Sequence, residues 1–550
     1  MCHTSCFVTG MPDGTNSTAA TNLIAGTVTK YVVLGLNISL GAVLMPFTVR
    51  HLGQTEYGLW MLVASMTTYF QLLDLGYGNG VVRHLIEADR RGDRGEVNRI
   101  ASTFVCVYAG IAVVAGAVIV AMVLVAVPRF PHLSPSQLRL AQALLAILGA
   151  RVAIGFPLTV FGAVTNARQG FARNNLVASA SVLLNALSTY AVLEAGGGLL
   201  TLVSTTTAVN IAAYAGYAWN AYRVMPELRI RPAYFSASQW REVTSFSLYL
   251  FVINVAAQIS FNIDSVVVGA VLGPAAVAVY TVALRLGQYQ RRLCDQFSVM
   301  LFPIAMAFGA DGDRAGLRRT LVEGNRIGMT MVTGASVVLI GFSEPLILKW
   351  MGPAFAGSVL PFNVLAIAGV ILVSQGASHN VLIATGHHRM VTGIWVGEAI
   401  VNLGLSLVLV RAIGLPGVAI GTLVPLVFGH LVVMQAAACR AVALPVPRCV
   451  IETVRPAAVA AAVAAACGMA IRWTWPPASA AAVLVESVLV GAIYGGSLAT
   501  IGFDAVTRAA YVGQFRQACR AALAKWKRLS RRSTKTIDPA GSLSSSVTVP

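Results

Sequence analysis

The stretch LGQTEYGLWMLVASMTTYFQLLDLGYGNGVVRHLIEADRRGDR, Leu52 to Arg94, opens on a tight Leu-Gly turn, runs apolar for some twenty residues and ends in a charged Gly-Asp-Arg loop. The same punctuation returns 220 residues later. Leu52-Gly53 aligns with Leu272-Gly273, Gly92-Asp93-Arg94 with Gly312-Asp313-Arg314, and Arg99 with Arg319. Asn185 and Asn402 match at a similar offset inside apolar runs, followed about a dozen residues later by Gly197 and Gly414. The chain therefore reads as two copies of one unit. Each copy holds six apolar segments, an even number, so the copies share an orientation and are related by an axis along the membrane normal.

Outward from that stretch, the chain is 57% hydrophobic and 11% charged, with a mean hydropathy of +0.74. A soluble domain carries about a quarter charged residues, so this is an integral membrane protein. Crossing about 30 Å of hydrocarbon at 1.5 Å per residue takes roughly 20 residues. The sequence supplies about fourteen such spans: 24-49, 57-82, 101-127, 138-163, 175-194, 198-222, 242-270, 275-307, 326-349, 358-384, 391-411, 415-439, 452-471 and 479-502. The apolar runs are too long for a strand-based barrel. The predicted fold is all-α, with two six-helix lobes and two C-terminal helices. The predicted organisation is a disordered leader (1-22), an N-lobe (23-222), a linker (223-241), a C-lobe (242-440), helices 13 and 14 (441-502) and a basic tail (503-550).

The leader shows no basic segment followed by an apolar one, so it does not read as a cleaved signal peptide. A start at Met11 would remove Cys2 and Cys6. The other cysteines lack metal-like spacing and read as inert thiols.

The net charge is +18, and its placement assigns it to topology rather than to nucleic acid. With both termini on one side, about 28 of the 39 basic residues fall on that side and about six on the other, as the positive-inside rule requires of a cytoplasmic face. The run KWKRLSRRSTK, Lys525 to Lys535, follows a segment with an amphipathic pattern. It reads equally as a layer on anionic headgroups or as a solvated tail.

Residues 52-85 resemble the first-lobe signature of the polysaccharide transporter (Wzx-type flippase) branch of the multidrug/oligosaccharidyl-lipid/polysaccharide (MOP) exporter superfamily. FNIDSVVVGAVLGPAAVAVYTVALRL, residues 261-286, is similar to the start of that family's second lobe. The resemblance spans roughly residues 25 to 440. It implies a central cavity lined chiefly by helices 1, 2, 7 and 8. It also implies export of a polyprenyl-diphosphate-linked oligosaccharide from the cytoplasmic to the outer leaflet of a bacterial inner membrane, without ATP, for exopolysaccharide or O-antigen synthesis. A polysaccharide polymerase and a chain-length regulator are the implied partners, alongside membrane lipids. None of the five lysines follows a glycine, so there is no GxxxxGK[ST] phosphate loop.

Ionisable side chains at bilayer depth cost at least about 2.5 kcal/mol and usually face a wet cavity or a partner. The candidates are Lys30, Asp74, Arg151, Asp264, Glu398 and the cluster RLGQYQRRLCDQF, Arg285 to Phe297. Arg285, Gln288, Tyr289 and Arg292 share one helix face by i, i+3, i+4, i+7 spacing. Guanidinium forks match phosphate oxygens, so Arg285, Arg292, Arg291 and Lys30 are candidate diphosphate contacts, with Gln288 and Tyr289 offering hydrogen bonds to sugars. The competing reading has Arg291 and Arg292 snorkelling to the interface or pairing with Asp295. Asp74, Asp264 and Glu398 are ion-coupling carboxylates or structural ones, the two aspartates then pairing with a cation such as Arg83 or Lys30. No cofactor is expected. Proton, sodium and membrane potential all remain open as driving forces, and His387 and His388 lack a third metal ligand.

Three other functions compete. A lipid II flippase shares the fourteen spans, a multidrug exporter would favour cations and an acidic cavity, and a membrane glycan polymerase or ligase would need a large outer loop. Every outer loop here is short, and no catalytic carboxylate pair or activated nucleophile is in view, so the protein does not read as an enzyme.

Overall fold

The computed structural model describes residues 16-74, 77-477, 479-503 and 508. Among them the chain is helical almost throughout and contains no strand. Lipid leaves a backbone no partner but itself, and the helix satisfies every amide within one segment.

The first helix, α1 (Asn16–Thr68), begins within the expected leader, whose last seven residues are thus helical; residues 1-15 lie outside the described residues. Its 53 residues are too many for one crossing, and the helical path breaks at Gly53, with φ 77° and ψ 166°. Gly273, its repeat equivalent, has φ 86° and ψ 175° between α7 (Ala237–Leu272) and α8 (Pro274–Ala310). An L side chain strains at either position.

The two Gly-Asp-Arg loops match as closely. Gly92 and Gly312 have φ 72° and 66°. Asp93 accepts a hydrogen bond from the Glu96 amide at 2.8 Å, and Asp313 from the Gly316 amide at 2.9 Å. Each aspartate caps the third helix of its lobe, α3 (Arg94–Ala121) and α9 (Arg314–Gly341).

The first lobe continues through α4 (Pro135–Ala167), which starts on a Ser134/Gln137 capping box, α5 (Phe171–Glu194) and α6 (Leu199–Val224). The second continues through α10 (Ser343–Trp350), α11 (Val359–Ser374), α12 (Gly376–Ala384), α13 (His388–Ile413), α14 (Leu415–Leu426), a π-helical stretch (Val427–Met434) and α15 (Gln435–Ala441). The C-terminal pair, α16 (Val446–Thr474) and α17 (Ala480–Ser497), attaches to α9: Tyr494 Oη donates to Thr330 O at 2.8 Å and Arg472 Nη1 to Gly341 O at 2.7 Å.

Several spans differ in detail from the sequence reading. The second span is not one helix to residue 82: α1 stops at Thr68, a 3-10 turn covers Tyr69–Asp74, and α2 (Tyr77–Arg90) follows. The ninth span starts earlier, at Arg314, and bends by 63° between α9 and α10. The tenth is interrupted at Gln375. In the repeat, the turn glycine of the first lobe is Gly196, φ 75°, rather than Gly197; it matches Gly414 at φ 68°.

Among the described residues, ten helices are long and apolar enough to span alone, eleven counting the bent pair. That is consistent with fourteen crossings, because α1 holds two and α7 and α8, outside that count, add one each. The described part of the inter-lobe linker is strapped to α3: the Arg229 amide donates to Asn98 Oδ1 at 2.8 Å, the Ser236 amide to Thr103 Oγ1 at 2.9 Å, and Arg94 pairs with Glu227.

Candidate functional site

At 37 residues, about 56 Å, α8 carries two different faces. Tyr280, Ala283, Gln290 and Cys294 are buried, and Gln290 Nε2 donates to Ser336 Oγ on α9 at 2.6 Å and to Ala366 O on α11 at 3.2 Å. That face holds the helix in its own lobe. Arg285, Gln288 and Tyr289 are half-buried on the other side, and Arg292 is exposed.

Arg285 Nη1 lies 3.4 Å from Gln288 Oε1, a weak bond that leaves most of the guanidinium fork available. The Tyr289 hydroxyl reaches α1 where a Cβ on Gly41 would lie 2.6 Å from it. Tyr57, also on α1, is within electrostatic reach of both Arg285 and Tyr289. One helix from each lobe thus meets around Arg285.

The remaining cluster residues divide. Lys30 is exposed on α1, eleven residues and about 16 Å along the axis from Gly41. Arg291 turns away from the Arg285 face and, with Gln288, lines a small cavity that also touches Asp264 and Thr422. The side chain of Asp295, the proposed partner of Arg291 and Arg292, lies outside the described residues.

The Asp264 cavity has a volume of about 50 Å³, room for a water or a small cation and not for a sugar. Asp264 is 1% exposed. Its Oδ2 accepts from Tyr280 Oη at 2.8 Å and from Thr422 Oγ1 at 3.0 Å, while Oδ1 is buried with no hydrogen-bond partner. Asn402 Nδ2 donates to Thr422 Oγ1 at 2.9 Å and leaves its own Oδ1 buried and unmatched. A buried carboxylate oxygen without a donor, on a residue that lines this cavity, fits a proton or a small cation.

Asn402 belongs to a polar ladder between α13 and the α14 segment. Ser406 Oγ reaches Val418 O at 3.4 Å, Asn402 meets Thr422, and Glu398 Oε1 meets His430 Nδ1 at 2.7 Å. The lowest rung is a buried ion-pair candidate, its side chains 5% and 3% exposed. It is separate from the Asp264 cavity. The π-helical stretch places Gly429 beside it, and a Cβ there would stand 1.8 Å from Glu398 Oε1.

Gly429→Ala should therefore push the carboxylate off His430 and lower stability by about 1–3 kcal/mol. Gly397→Ala, with open space around its Cβ, should be nearly neutral. Thermal unfolding of the two purified variants checks the contrast, and equal midpoints would contradict it.

Asp74 closes the 3-10 turn below α1, and its Oδ1 accepts from Tyr108 Oη at 2.5 Å. Tyr108 is fully buried in an aromatic row with Tyr77 and Phe156, ring centroids 6.2 Å from it in each case. The predicted cationic partners do not supply these contacts: Arg83 pairs with Glu87 at 3.1 Å, and both aspartates are held by hydroxyls. Tyrosine and threonine carry no charge signal, so sequence reasoning missed Tyr57, Tyr108, Tyr280 and Thr422. Asn402 was visible through the repeat. His430 has no local motif.

With this geometry established, comparison with known proteins adds the lineage. The polysaccharide biosynthesis protein family matches residues 23–306. The uncharacterized membrane protein EpsK of Bacillus subtilis (strain 168) is 24% identical over 404 residues, covering 70% of this chain and 75% of EpsK. Among solved structures, the lipid II flippase MurJ in an inward closed conformation superimposes with a TM-score of 0.65 at 14% identity, covering 86% of this chain and 98% of that one. An inward-facing multidrug resistance MATE family transporter of the MOP superfamily gives 0.63 at 15% identity, with 74% and 95% covered. These two likenesses establish the fold.

Proposed function

The chain belongs to the polysaccharide biosynthesis protein family, a membrane transporter lineage of the MOP superfamily, and from that premise we propose that it flips a polyprenyl-diphosphate-linked oligosaccharide from the cytoplasmic to the outer leaflet. It is a multi-pass membrane protein and a transporter rather than an enzyme. Under this reading it sits in a bacterial inner membrane with both termini cytoplasmic, its N-lobe at 23-222 and its C-lobe at 242-440. The polymerase and chain-length regulator of the same glycan are its natural partners.

The observation that carries the reading is the Arg285 face at the junction of α1 and α8. A diphosphate drawn from water between two lobes needs a charged fork held by rigid helices. Gln288 and Tyr289, one turn on, provide hydrogen bonds for the first sugar. Arg292, more exposed, and Lys30, farther along α1, fit an approach path toward that site. Arg291 is assigned instead to the Asp264 cavity.

Asp264 is the coupling carboxylate of this scheme, taking a proton or small cation in one half of the cycle. Asp74 and Glu398 are structural, the first a turn closure and the second a helix-to-helix link. A multidrug exporter is disfavoured because cationic drugs would meet the arginine face.

Reconstitution in vesicles with a fluorescent lipid-linked oligosaccharide tests the assignment. Wild-type protein should move the lipid between leaflets, and Asp264→Asn should slow it at least about tenfold and abolish its response to an imposed ion gradient. Movement of a cationic dye without movement of the glycolipid would replace this reading with the exporter.

A further inference from the structure

An ion can drive two lobes past one another only if its affinity differs between their arrangements. Tyr280 and Thr422, which bond Asp264, both belong to its own lobe. They travel with the carboxylate and create no such difference. A group supplied by the other lobe would create one.

The first lobe brings one hydroxyl to that level. Leu62 of α1 meets α7 where a Cβ on Gly269 would stand 2.7 Å from Leu62 Cδ1, and Leu62, Met66, Ile263 and Val268 share one apolar cluster. Even- and odd-numbered spans run opposite ways, so the path from this contact toward the cytoplasm ascends the numbering of α1 and descends that of α7. Seven residues, about 10 Å, lead to Tyr69, and five residues, about 7.5 Å, lead to Asp264. The two residues thus lie at nearly one depth, on opposite sides of the lobe interface.

Tyr69 opens the 3-10 turn that interrupts the second span, a feature typical of hinges, and that turn packs against α7. Its far end is held in the first lobe, because Asp74 accepts from Tyr108 of α3. The Tyr69 hydroxyl is buried without a hydrogen-bond partner and is within electrostatic reach of Asp264. Asp264 Oδ1 is likewise buried without a donor. An unmatched donor of one lobe therefore stands near an unmatched acceptor of the other, and a bond between them would remove both desolvation costs. Among the described residues, the other titratable or charged groups around Asp264 are Tyr280 and Arg291 of α8; α11 and α14 line its cavity with uncharged residues.

With Asp264 as the coupling carboxylate, on which this rests, we propose that Tyr69 is a positioning residue for ion coupling: its hydroxyl donates to the ionised, empty Asp264 from across the lobe interface and competes there with the coupling ion. In the arrangement that closes this bond the empty carboxylate is stabilised and the ion leaves. In the other the donor withdraws with the first lobe and the ion binds. A charge-assisted bond is roughly twice as strong as a neutral one, so filling Oδ1 also loosens the lobes. Ion affinity and lobe arrangement are then linked in both directions.

The reconstituted full chain tests this with the fluorescent lipid-linked oligosaccharide, under sodium gradients at fixed pH and under proton gradients without sodium. Whichever ion accelerates wild-type flipping is then titrated. Tyr69→Phe removes only the hydroxyl and should lower the half-saturating concentration of that ion roughly tenfold, because Oδ1 loses its competitor. Thr68→Val, whose lost hydroxyl bonds Ala64 O of its own helix at 3.1 Å, should leave that concentration unchanged. Added to Asp264→Asn, Tyr69→Phe should change the residual rate no further.

Flipping that answers neither gradient, or a full ion response in Asp264→Asn, overturns the coupling role of Asp264 and that of Tyr69 with it. An ion response that vanishes in Asp264→Asn and is unshifted in Tyr69→Phe overturns the role of Tyr69 alone. A half-saturating concentration that rises in Tyr69→Phe makes the hydroxyl a ligand of the ion, and independent effects of the two substitutions make it structural; either result overturns the competition.

Discussion

Replacing Arg285 with alanine should leave lipid-linked repeat units on the cytoplasmic side of the membrane and lower surface polysaccharide by at least about tenfold at normal protein levels. Hydrogen bonds to a charged group contribute about 1.5–3 kcal/mol each, and a fork makes two of them to a phosphate. Alanine leaves the diphosphate facing Gln288 and Tyr57 across a low-dielectric gap, without a countercharge.

Arg285→Lys keeps a point charge but not the fork, so it should recover part of the transport. Tyr289→Phe removes one hydroxyl and should cost several-fold at most. The order Arg285→Ala, Arg285→Lys, Tyr289→Phe is the informative readout, since a helix that merely failed to fold would show lower protein for the first variant. Unchanged polysaccharide in Arg285→Ala at normal abundance would remove this residue from the site.

Gly58→Ala should have an effect of similar size by a different route. A Cβ at Gly58 would lie 1.8 Å from Pro274 O, 2.7 Å from Pro274 C and 3.1 Å from the Ala278 amide nitrogen. All three are backbone atoms, so no rotamer change relieves the clash, and α1 and α8 must separate. The contact lies beside the equivalent turns at Gly53 and Gly273, and two further links join the lobes there. Gln54 Nε2 donates to Ala354 O at 3.3 Å, and Trp350 Nε1 donates to Ala42 O at 2.6 Å.

If alternating access requires this end to close, one methyl group should hold it ajar and reduce transport at least about tenfold. A Gln54→Cys/Ala354→Cys pair reports the closure directly: its crosslinking yield should fall sharply when Gly58→Ala is added. A yield that does not change would show that the methyl group is accommodated and the closure argument is wrong.

How much of this was readable beforehand depends on the interaction concerned. The apolar runs specify spanning helices because hydrocarbon offers the backbone no alternative partner. The 220-residue repeat was legible since turns with positive φ demand glycine and helix starts demand a capping aspartate. Gly53 with Gly273, and Asp93 with Asp313, therefore carry their geometry in their identity. The polar face of α8 was legible by the same logic, since Arg285, Gln288, Tyr289 and Arg292 follow the period of a single helix.

Partnerships between helices were not legible. Charge is what a sequence displays, so for Asp74 and Asp264 it offers ion coupling or pairing with a cation such as Arg83 or Lys30, whereas the hydrogen bonds they accept come from Tyr108, Tyr280 and Thr422. Arg291 and Arg292 are adjacent in the chain, yet one helical step of about 100° sends the first into the Asp264 cavity and leaves the second exposed. The sequence by itself determined that the chain crosses the membrane as a doubled helical unit and which face of α8 is polar, because both follow from neighbours within a few residues. Only the tertiary structure decided which buried carboxylate faces a cavity, that Gly58 brings the lobes into contact, and that the Tyr69 hydroxyl comes within electrostatic reach of Asp264. Those facts join residues more than a hundred positions apart, and no local period records them.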